Sequence, residues 1–160
     1  MMGIGEYLRS QHVPFEAFLH APAPSATRRA QSVHVAGQRV AKGVLVQSGT
    51  GYVLAVLPAT HRIDLAKLAG ILGTTAVQIA GEDEVERVFH DCERGALPPF
   101  GRLYGLPTVV DASLSGGAQI VIEGNARHEG LRLRYRDYEA VESPTRARFA
   151  EPIAPRRKRP

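Results

Sequence analysis

A pair of apolar segments in the first half of the chain constrains its fold most. Residues 40–47 and 52–57 are rich in valine, leucine and alanine, and only Ser48-Gly49-Thr50-Gly51 separates them. Two glycines in so short a connection favour a tight reversal of the chain, because glycine adopts the positive φ angles that such turns require. The pattern therefore predicts a β-hairpin.

Helical patterns and short strands alternate irregularly along the rest of the chain. The clearest helix follows Asp64, has leucines at helical spacing from Leu65 to Leu72, and ends at Gly73. Other helices are predicted at residues 6–13, after Ser25, at 82–90 and at 138–141, and other strands at 15–19, 77–80, 108–110, 119–123 and 131–135. We therefore expect an α+β fold around one central sheet.

Length and composition favour a single domain. The chain has 160 residues, 44% apolar and 22% charged, which is ordinary for a globular domain. One domain is expected over residues 1–152, followed by a basic, disordered tail at 153–160. The one cysteine, Cys92, excludes an internal disulfide. Without a signal-peptide pattern or an apolar run of about 18 residues, we expect a cytoplasmic protein that does not enter a membrane.

The positive charge of the chain is concentrated in that tail. Twenty basic and 16 acidic residues leave a formal net charge of +4, and Arg156, Arg157, Lys158 and Arg159 carry that charge alone. The preceding residues are therefore neutral as a whole. Any site for a polyanion within residues 1–152 must be local.

Lys42 lies inside the first strand of the predicted hairpin, between apolar neighbours. An ammonium group is costly to bury without a partner. With the two-residue period of a strand, Lys42 shares a face with Val40, Val44 and Val46. Two interpretations stay open: a lysine at a strand end that reaches water, or a cation that lines a pocket for phosphate or carboxylate.

The segment 95–101, Gly-Ala-Leu-Pro-Pro-Phe-Gly, is too rich in glycine and proline for a helix or a strand. Its glycines permit positive φ and its prolines restrict φ. The backbone amides of Ala96 and Leu97 could donate to a ligand. The segment is either a ligand-binding loop or a rigid connection to the next strand.

Other polar clusters do not have the spacing of a metal or nucleophile site. Residues 90–93, His-Asp-Cys-Glu, are adjacent and would diverge, and no second ligand pair stands at zinc spacing, so neither a metal nor a cofactor is predicted. Cys92 is interpreted as a small apolar residue. Arg132, Arg134 and Arg136 give the last predicted strand a basic face, which is either solvated or in contact with a nucleic acid backbone.

Three segments in order resemble a known family. They are His20 with Ser25-Ala26-Thr27 leading to Val40-Ala41-Lys42-Gly43-Val44, then Asp91 to Gly101 with Tyr104-Gly105, and last Leu131 to Tyr138. Over about residues 3–150 the chain resembles the YbaK and prolyl-tRNA synthetase-associated editing-domain family. The middle segment is the most specific.

The resemblance implies a mixed β-sheet curled toward a barrel, with helices packed outside. It also implies hydrolysis, without a cofactor, of the ester that joins a wrong amino acid to the 3′-terminal adenosine of tRNA. Water, helped by the ribose hydroxyl and by backbone groups, attacks the ester carbonyl. A site of this kind needs no catalytic triad, since fixed donors can position the ester and stabilise its oxyanion.

Site residues follow from the same resemblance. Lys42 is expected to contact the terminal phosphate or ribose, and the loop 95–99 to shape the pocket for the aminoacyl group. The implied catalytic positions are Lys42, Gly95 and Pro99, and the implied substrate contacts are Ala96, Leu97, Pro98, His20 and Ser25.

The chain departs from the family pattern at two places. Family members often have a Phe-Asn-Ala-Gly-like turn followed by a histidine, whereas residues 122–128 read Ile-Glu-Gly-Asn-Ala-Arg-His. Arg127 takes the histidine position when residues are counted back without gaps, and a one-residue offset places His128 on the other face of a strand. Both are kept as candidate substrate contacts. Gly43 stands where bulkier residues are usual, and either enlarges the pocket or loosens the strand.

The sequence predicts a trans-editing deacylase that removes a small misattached amino acid, with the aminoacylated 3′ end of tRNA as its partner and an aminoacyl-tRNA synthetase as a second candidate partner. Two alternatives stay open: a non-catalytic module of the same fold that binds tRNA or a synthetase, and a small-molecule hydrolase with the same pocket. Lys42 and the loop 95–99 argue against the non-catalytic module, and the altered residues 123–128 favour it. No pattern indicates the amino acid removed, the tRNA preferred or the oligomeric state.

Overall fold

The predicted hairpin forms the centre of the largest sheet in the computed structural model, which describes residues 3–19, 39–49, 51–92, 97–123 and 129–153. Strand β2 (Ala41–Ser48) pairs antiparallel with β3 (Gly51–Pro58) along its whole length. Gly49, in the connection, has a φ of 60°, which a residue with a side chain rarely adopts. The hairpin prediction is confirmed.

The described residues contain eight further strands and four α-helices. The strands are β1 (Glu16–Leu19), β4 (His61–Ile63), β5 (Val77–Ile79), β6 (Thr108–Asp111), β7 (Gln119–Glu123), β8 (Glu129–Arg134), β9 (Thr145–Ala147) and β10 (Ala150–Pro152). The α-helices are α1 (Ile4–Ser10), α2 (Leu65–Leu72), α3 (Glu82–Val88) and α4 (Tyr135–Glu142), and 3₁₀ turns span Gly101–Tyr104 and Ala112–Gly116.

The helix predicted after Asp64 forms as α2. The Asp64 carboxylate accepts a hydrogen bond from the Lys67 amide at 3.1 Å and so caps the first turn. Gly73 ends the helix in the left-handed conformation, with φ of 70°. Both ends are therefore determined by local sequence.

Several other boundaries differ from the prediction, most clearly those of α1 and α4. α1 begins at Ile4 and ends before the predicted residue 13, because His12 has a φ of 58° that a right-handed helix cannot include. Tyr135 was predicted at the end of a strand but opens α4. Tyr135, Tyr138 and Glu142 are the buried residues of α4 and lie at helical spacing, so packing of that face favours the helix.

The ten strands form three sheets. The largest is mixed, with the order β5-β2-β3-β6-β9, in which β3, β6 and β9 run parallel and the other pairs antiparallel. A three-stranded antiparallel sheet has the order β1-β8-β7, and β10 pairs with β4 in a two-stranded ladder. The α+β prediction with a mixed sheet is confirmed.

The expected curl of one central sheet toward a barrel is wrong for the described residues. A single parallel bridge, Val40 to Val121, joins the three-stranded sheet to the start of β2. Beyond that bridge the two sheets do not pair, so their hydrogen bonding is not continuous around the fold. A barrel requires such continuity, and none of the three sheets closes on itself or is strongly curled.

Apolar side chains pack on both faces of the hairpin. Leu45, Leu54 and Val56 belong to the main core, with residues of α1, β7, β8 and α4. Val46 and Leu57, on the opposite face, pack in a second cluster with Leu68 of α2 and with Phe149. Burial on both faces explains the nearly unbroken apolar runs of the two strands.

Asp111 fixes the C-terminal strands to the main sheet. Its Oδ1 accepts hydrogen bonds from the Phe149 amide at 3.0 Å and from the Ala150 amide at 2.9 Å, and its Oδ2 accepts one from the Ser113 amide at 3.1 Å. Burial alone would raise the pKa of the carboxyl, but these hydrogen bonds outweigh burial and lower the pKa.

Of the basic tail predicted at 153–160, residues 154–160 lie outside the described residues. Among the described helices, none has the length and apolar composition needed to cross a membrane.

Candidate active site

Lys42 is half-buried in β2, with no acidic partner among the described residues. Its Nζ lies 3.5 Å from the carbonyl oxygen of Ala59, at a marginal hydrogen-bond distance. In the part of the chain that the structure describes, Lys42 forms no ion pair. Burial lowers the pKa of its ammonium group. A cation in this state gains most from an anionic ligand.

Gly43, the next residue of β2, is covered by the predicted loop. A Cβ at Gly43 would lie 3.4 Å from the Leu97 carbonyl oxygen, 3.6 Å from the Leu97 Cβ and 3.3 Å from Leu54 Cδ1. The space that a side chain would need is therefore already filled. Without a side chain, Gly43 lets the backbone at Leu97 approach β2 closely.

Lys42 and Leu97 meet at the same stretch of β2 but from opposite faces. Lys42 pairs with Leu57, which packs in the second cluster, whereas Gly43 pairs with Val56, which packs in the main core. Because side chains alternate along a strand, the Lys42 side chain leaves β2 on the face opposite Leu97. The structure brings the two predicted elements together through the strand backbone.

Helix α4 holds the second half of the loop in place. The Tyr138 hydroxyl donates a hydrogen bond to the Pro99 carbonyl oxygen at 2.7 Å. One turn later, Glu142 Oε1 accepts a hydrogen bond from the Arg102 amide at 3.0 Å and another from Thr108 Oγ1 at 2.6 Å. Residues four apart lie on one side of a helix, so both contacts come from the same face of α4.

Burial raises the pKa of both side chains. Tyr138 is fully buried, and burial raises the pKa of its phenol well above the usual value, so the hydroxyl remains a donor. Glu142 is 1% exposed, and burial raises the pKa of its carboxyl, although its hydrogen bonds with Thr108 and Arg102 act in the opposite direction.

Aromatic packing and a close contact anchor the residues between these hydrogen bonds. The fully buried Phe100 ring makes edge contacts with Tyr7 and Tyr138, at centroid distances of 5.6 Å and 5.4 Å. Gly101 has no room for a side chain, because a Cβ there would collide with Thr108 Oγ1 and lie 2.9 Å from the Leu106 carbonyl oxygen. The backbone from Pro99 to Gly101 is therefore held firmly in place.

A second contact joins the two ends of the loop. The Tyr104 hydroxyl donates to Asp91 Oδ1 at 2.9 Å and lies 3.2 Å from Cys92 Sγ. Burial, together with the hydrogen bonds to Cys92 and Asp91, raises the pKa of the Tyr104 phenol. Within the described residues, no three potential metal-ligating side chains converge.

The predicted site residues divide into two sets. Lys42, Leu97, Pro98 and Pro99 are described, and both prolines are buried. The other predicted residues lie outside the described residues; they are His20, Ser25, Gly95, Ala96, Arg127 and His128. For these six the predictions stand as they were made.

Sequence reasoning did not find Tyr138 and Glu142, the residues that hold the loop. A tyrosine and a glutamate four residues apart on a short amphipathic segment indicate a helix face, but their targets at Pro99 and Arg102 are about 40 positions earlier in the chain. The only local signal is an acidic residue on the buried side of a predicted helix.

The basic face predicted for the last strand is interrupted. Arg132 pairs with Glu16 at 3.4 Å, and its guanidinium lies 5.8 Å from the centre of the Phe18 ring. Arg134 pairs with Asp137 at 2.9 Å, and Arg136 belongs to α4. The three arginines therefore do not form one stripe.

The chain is similar in sequence to known proteins. Residues 20–141 match the model of the aminoacyl-tRNA editing domain. The proline–tRNA ligase of Xanthomonas oryzae pv. oryzae (strain MAFF 311018) is 32% identical over 96 residues, which are 60% of this chain and 17% of the ligase. The ligase of Pelobacter propionicus is 32% identical over 94 residues, 58% of this chain and 16% of the ligase. The chain thus spans about a sixth of these relatives.

Two solved structures share the fold. The hypothetical protein APE2540 superposes with a TM-score of 0.85 at 18% identity, over 92% of this chain and 99% of that one. A protein described as a candidate trans-editing enzyme for prolyl tRNA synthetase superposes with a TM-score of 0.77 at 22% identity, over 90% of this chain and 92% of that one. Together with the match over residues 20–141, these findings show that the chain belongs to the aminoacyl-tRNA editing domain family, which includes the YbaK-like and prolyl-tRNA synthetase-associated domains.

Proposed function

We propose that this chain is an aminoacyl-tRNA deacylase that acts in trans, in the cytoplasm, and removes a small misattached amino acid from the 3′ end of tRNA. The observation that carries the proposal is Lys42: a half-buried cation with no acidic neighbour among the described residues, placed where β2 meets the Leu97 segment. A tRNA 3′ end offers phosphates for such a cation, since each nucleotide carries one negative charge.

The reaction needs only water as co-substrate. The water oxygen bonds to the ester carbonyl carbon, the bond from that carbon to the ribose oxygen breaks, and the ribose hydroxyl regains a proton. Free amino acid and tRNA with an intact 3′ end are the products. The chain's contribution would be to position the ester and to place donors around the developing oxyanion, which together supply most of the acceleration in sites without a nucleophile.

The residues have separate roles in this proposal. Lys42 binds the terminal phosphate or ribose, and the loop 95–99, with Gly95, Ala96, Leu97, Pro98 and Pro99, forms the wall against the aminoacyl group. His20, Ser25, Arg127 and His128 remain candidate substrate contacts. The rigid attachment of Pro99 to α4 supports a wall whose shape selects among amino acids.

Action in trans is supported by the structural relative described as a candidate trans-editing enzyme, 92% of which this chain covers. The resemblance to the ligase covers only 17% of the ligase chain, so it supports a shared editing domain and not a shared ligase activity.

A panel of mischarged tRNAs tests the proposal. Each tRNA is incubated with the purified chain, and release of the labelled amino acid is measured. We expect rapid loss from at least one tRNA carrying a small amino acid, and we expect Lys42→Ala to abolish that loss while its unfolding curve stays close to that of the wild type. The matched control is Lys67→Ala, since Lys67 is an exposed lysine on α2.

Three outcomes would contradict the proposal. Binding of tRNA without hydrolysis would identify a non-catalytic module. Cleavage of simple aminoacyl esters with no activity on any tRNA would identify a small-molecule hydrolase. A wild-type rate of hydrolysis in Lys42→Ala would show that Lys42 has no role in the reaction.

A further inference from the structure

Among the described residues, the outer edge of β2 has no partner strand beside the Leu97 segment. On one side β2 pairs with β3 along its whole length, but on the other side β5 pairs only with Val46, Gln47 and Ser48. The bridge between Val40 and Val121 lies just before the first residue of the strand. Among the described residues, no strand therefore pairs with the outer side of β2 between this bridge and Leu45.

Backbone hydrogen bonds of neighbouring residues show which groups of β2 face this edge. Val40 accepts from the Ala59 amide at 2.8 Å, on the β3 side, whereas Leu45 accepts from the Ala80 amide at 2.9 Å, on the outer side. Backbone groups alternate between the two sides of a strand, and Gly43 has the same parity as Leu45. The N–H and C=O of Gly43 therefore both point outward.

In the described part of the chain, neither of these Gly43 groups has a hydrogen-bond partner. Gly43 is half-buried, and Leu97 packs over the position of its missing Cβ. Backbone groups at such a place are nearly always paired in folded proteins, so a donor and an acceptor are left for a ligand. They stand next to Lys42 on one side and the Leu97 segment on the other.

We propose that the outer edge of β2 at Gly43 binds the aminoacyl group of the substrate as one residue of an added antiparallel strand. The Gly43 N–H donates to the ester carbonyl oxygen, and the Gly43 carbonyl oxygen accepts from the α-ammonium group. This inference rests on the proposed deacylase function and assigns a contact that neither Lys42 nor the loop provides.

The proposal follows from the chemistry of the ligand. An aminoacyl ester has N–H donors on one side of its α-carbon and a carbonyl acceptor on the other, as a residue in a strand does. Residues opposite each other in a hydrogen-bonded antiparallel pair exchange both bonds. A donor on the ester oxygen also stabilises the negative charge that develops there when water attacks.

The same geometry limits the amino acid side chain. In an antiparallel pair the side chains of opposite residues lie on the same face, with Cβ atoms about 4.5–5.5 Å apart. On the Gly43 face that region is next to the Leu97 carbonyl and Cβ. Small side chains fit beside Leu97, and branched or aromatic ones collide with it.

Two substitutions separate the backbone N–H from the space around it. Gly43→Pro removes the N–H, and proline is tolerated at strand edges where the N–H is not paired. Gly43→Ala keeps the N–H and adds the Cβ contact with Leu97. We expect Gly43→Pro to lower kcat/KM at least about 100-fold, the cost of one lost oxyanion donor, and Gly43→Ala to lower it much less.

A binding measurement covers the case in which Gly43→Pro does not fold. Wild-type protein labelled with nitrogen-15 glycine is titrated with 3′-alanylamino-3′-deoxyadenosine, whose amide link resists hydrolysis. The Gly43 amide signal, identified by its absence in Gly43→Ala, is expected to move downfield as its N–H donates. An analogue with an acetylated α-amine is expected to bind more weakly.

The outcomes distinguish the two proposals. Hydrolysis of a mischarged tRNA with an unmoved Gly43 signal, or with a wild-type rate in folded Gly43→Pro, overturns the edge contact and leaves the deacylase function standing. Failure to hydrolyse any tRNA overturns the function and the edge contact that depends on it.

Discussion

Replacing Tyr138 with phenylalanine tests whether α4 holds the pocket loop. The substitution removes one hydroxyl group and keeps the ring, so the edge contact with Phe100 at 5.4 Å is preserved. What is lost is the hydrogen bond of 2.7 Å to the Pro99 carbonyl oxygen. Because Pro99 is itself buried, water cannot replace the lost donor.

The expected cost follows from these contacts. A buried acceptor left without its donor costs about 1–3 kcal/mol, so the free energy of unfolding should fall by about 1–2 kcal/mol. For a domain of this size that corresponds to about 2–4 °C in Tm per kcal/mol. Since burial raises the phenol pKa well above its usual value, the loss should be constant between pH 6 and pH 9.

Urea unfolding measures the effect on stability, and deacylation of the best tRNA substrate measures the effect on the site. Tyr135→Phe is the matched control, because Tyr135 is a buried tyrosine on the same helix whose hydroxyl makes no hydrogen bond with a described residue of the loop. We expect Tyr138→Phe to lower kcat and Tyr135→Phe to leave it unchanged. If the two variants have equal unfolding free energies and equal rates, the hydrogen bond does not hold the loop.

Four further substitutions test other parts of the molecule. Gly101→Ala should lower the free energy of unfolding by about 1–3 kcal/mol, because its Cβ collides with Thr108. Gly70→Ala, at an open helical position, should raise the free energy of unfolding by about 0.5–1 kcal/mol. Urea unfolding of the two variants measures both changes. Cys92→Ser should keep the wild-type deacylation rate, and a large loss in a folded variant would indicate a thiol nucleophile. Hydrogen bonds hold the Asp111 pKa low despite burial, so the stability that Asp111 contributes is present above about pH 4 and is lost as the pH falls through its lowered pKa. Asp111→Asn should therefore make the free energy of unfolding depend less on pH in this acidic range. An unchanged pH dependence would contradict this role of Asp111.

Local signals account for the elements that the sequence predicted correctly. Asp64 and Gly73 bound α2 because each acts on backbone groups within a few residues of itself. Gly49 reverses the hairpin for the same reason. A single sequence contains such signals in full, since they do not depend on the rest of the fold.

Contacts between distant residues account for what was missed. Tyr135 follows an alternating apolar and charged pattern that predicts a strand end. Its burial beside Tyr138 favours a helix instead, and that burial depends on the whole core. Nothing in the sequence distinguishes Gly101 from the other glycine of the loop, because its need for a missing side chain comes from contact with Thr108 in the folded chain. The barrel was expected from family resemblance, and pairing that stops after Val40 contradicts it.

The attachment of the last strands to Asp111 has a consequence for biosynthesis. β6 pairs with β9, and β4 with β10, so two strands made earlier wait for residues 145–152 to emerge from the ribosome. Until then their edges are open, and open edges pair readily with other chains. Nascent chains halted before residues 145–152 emerge should therefore bind chaperones. Chains in which these residues have emerged can pair β9 with β6 and β10 with β4.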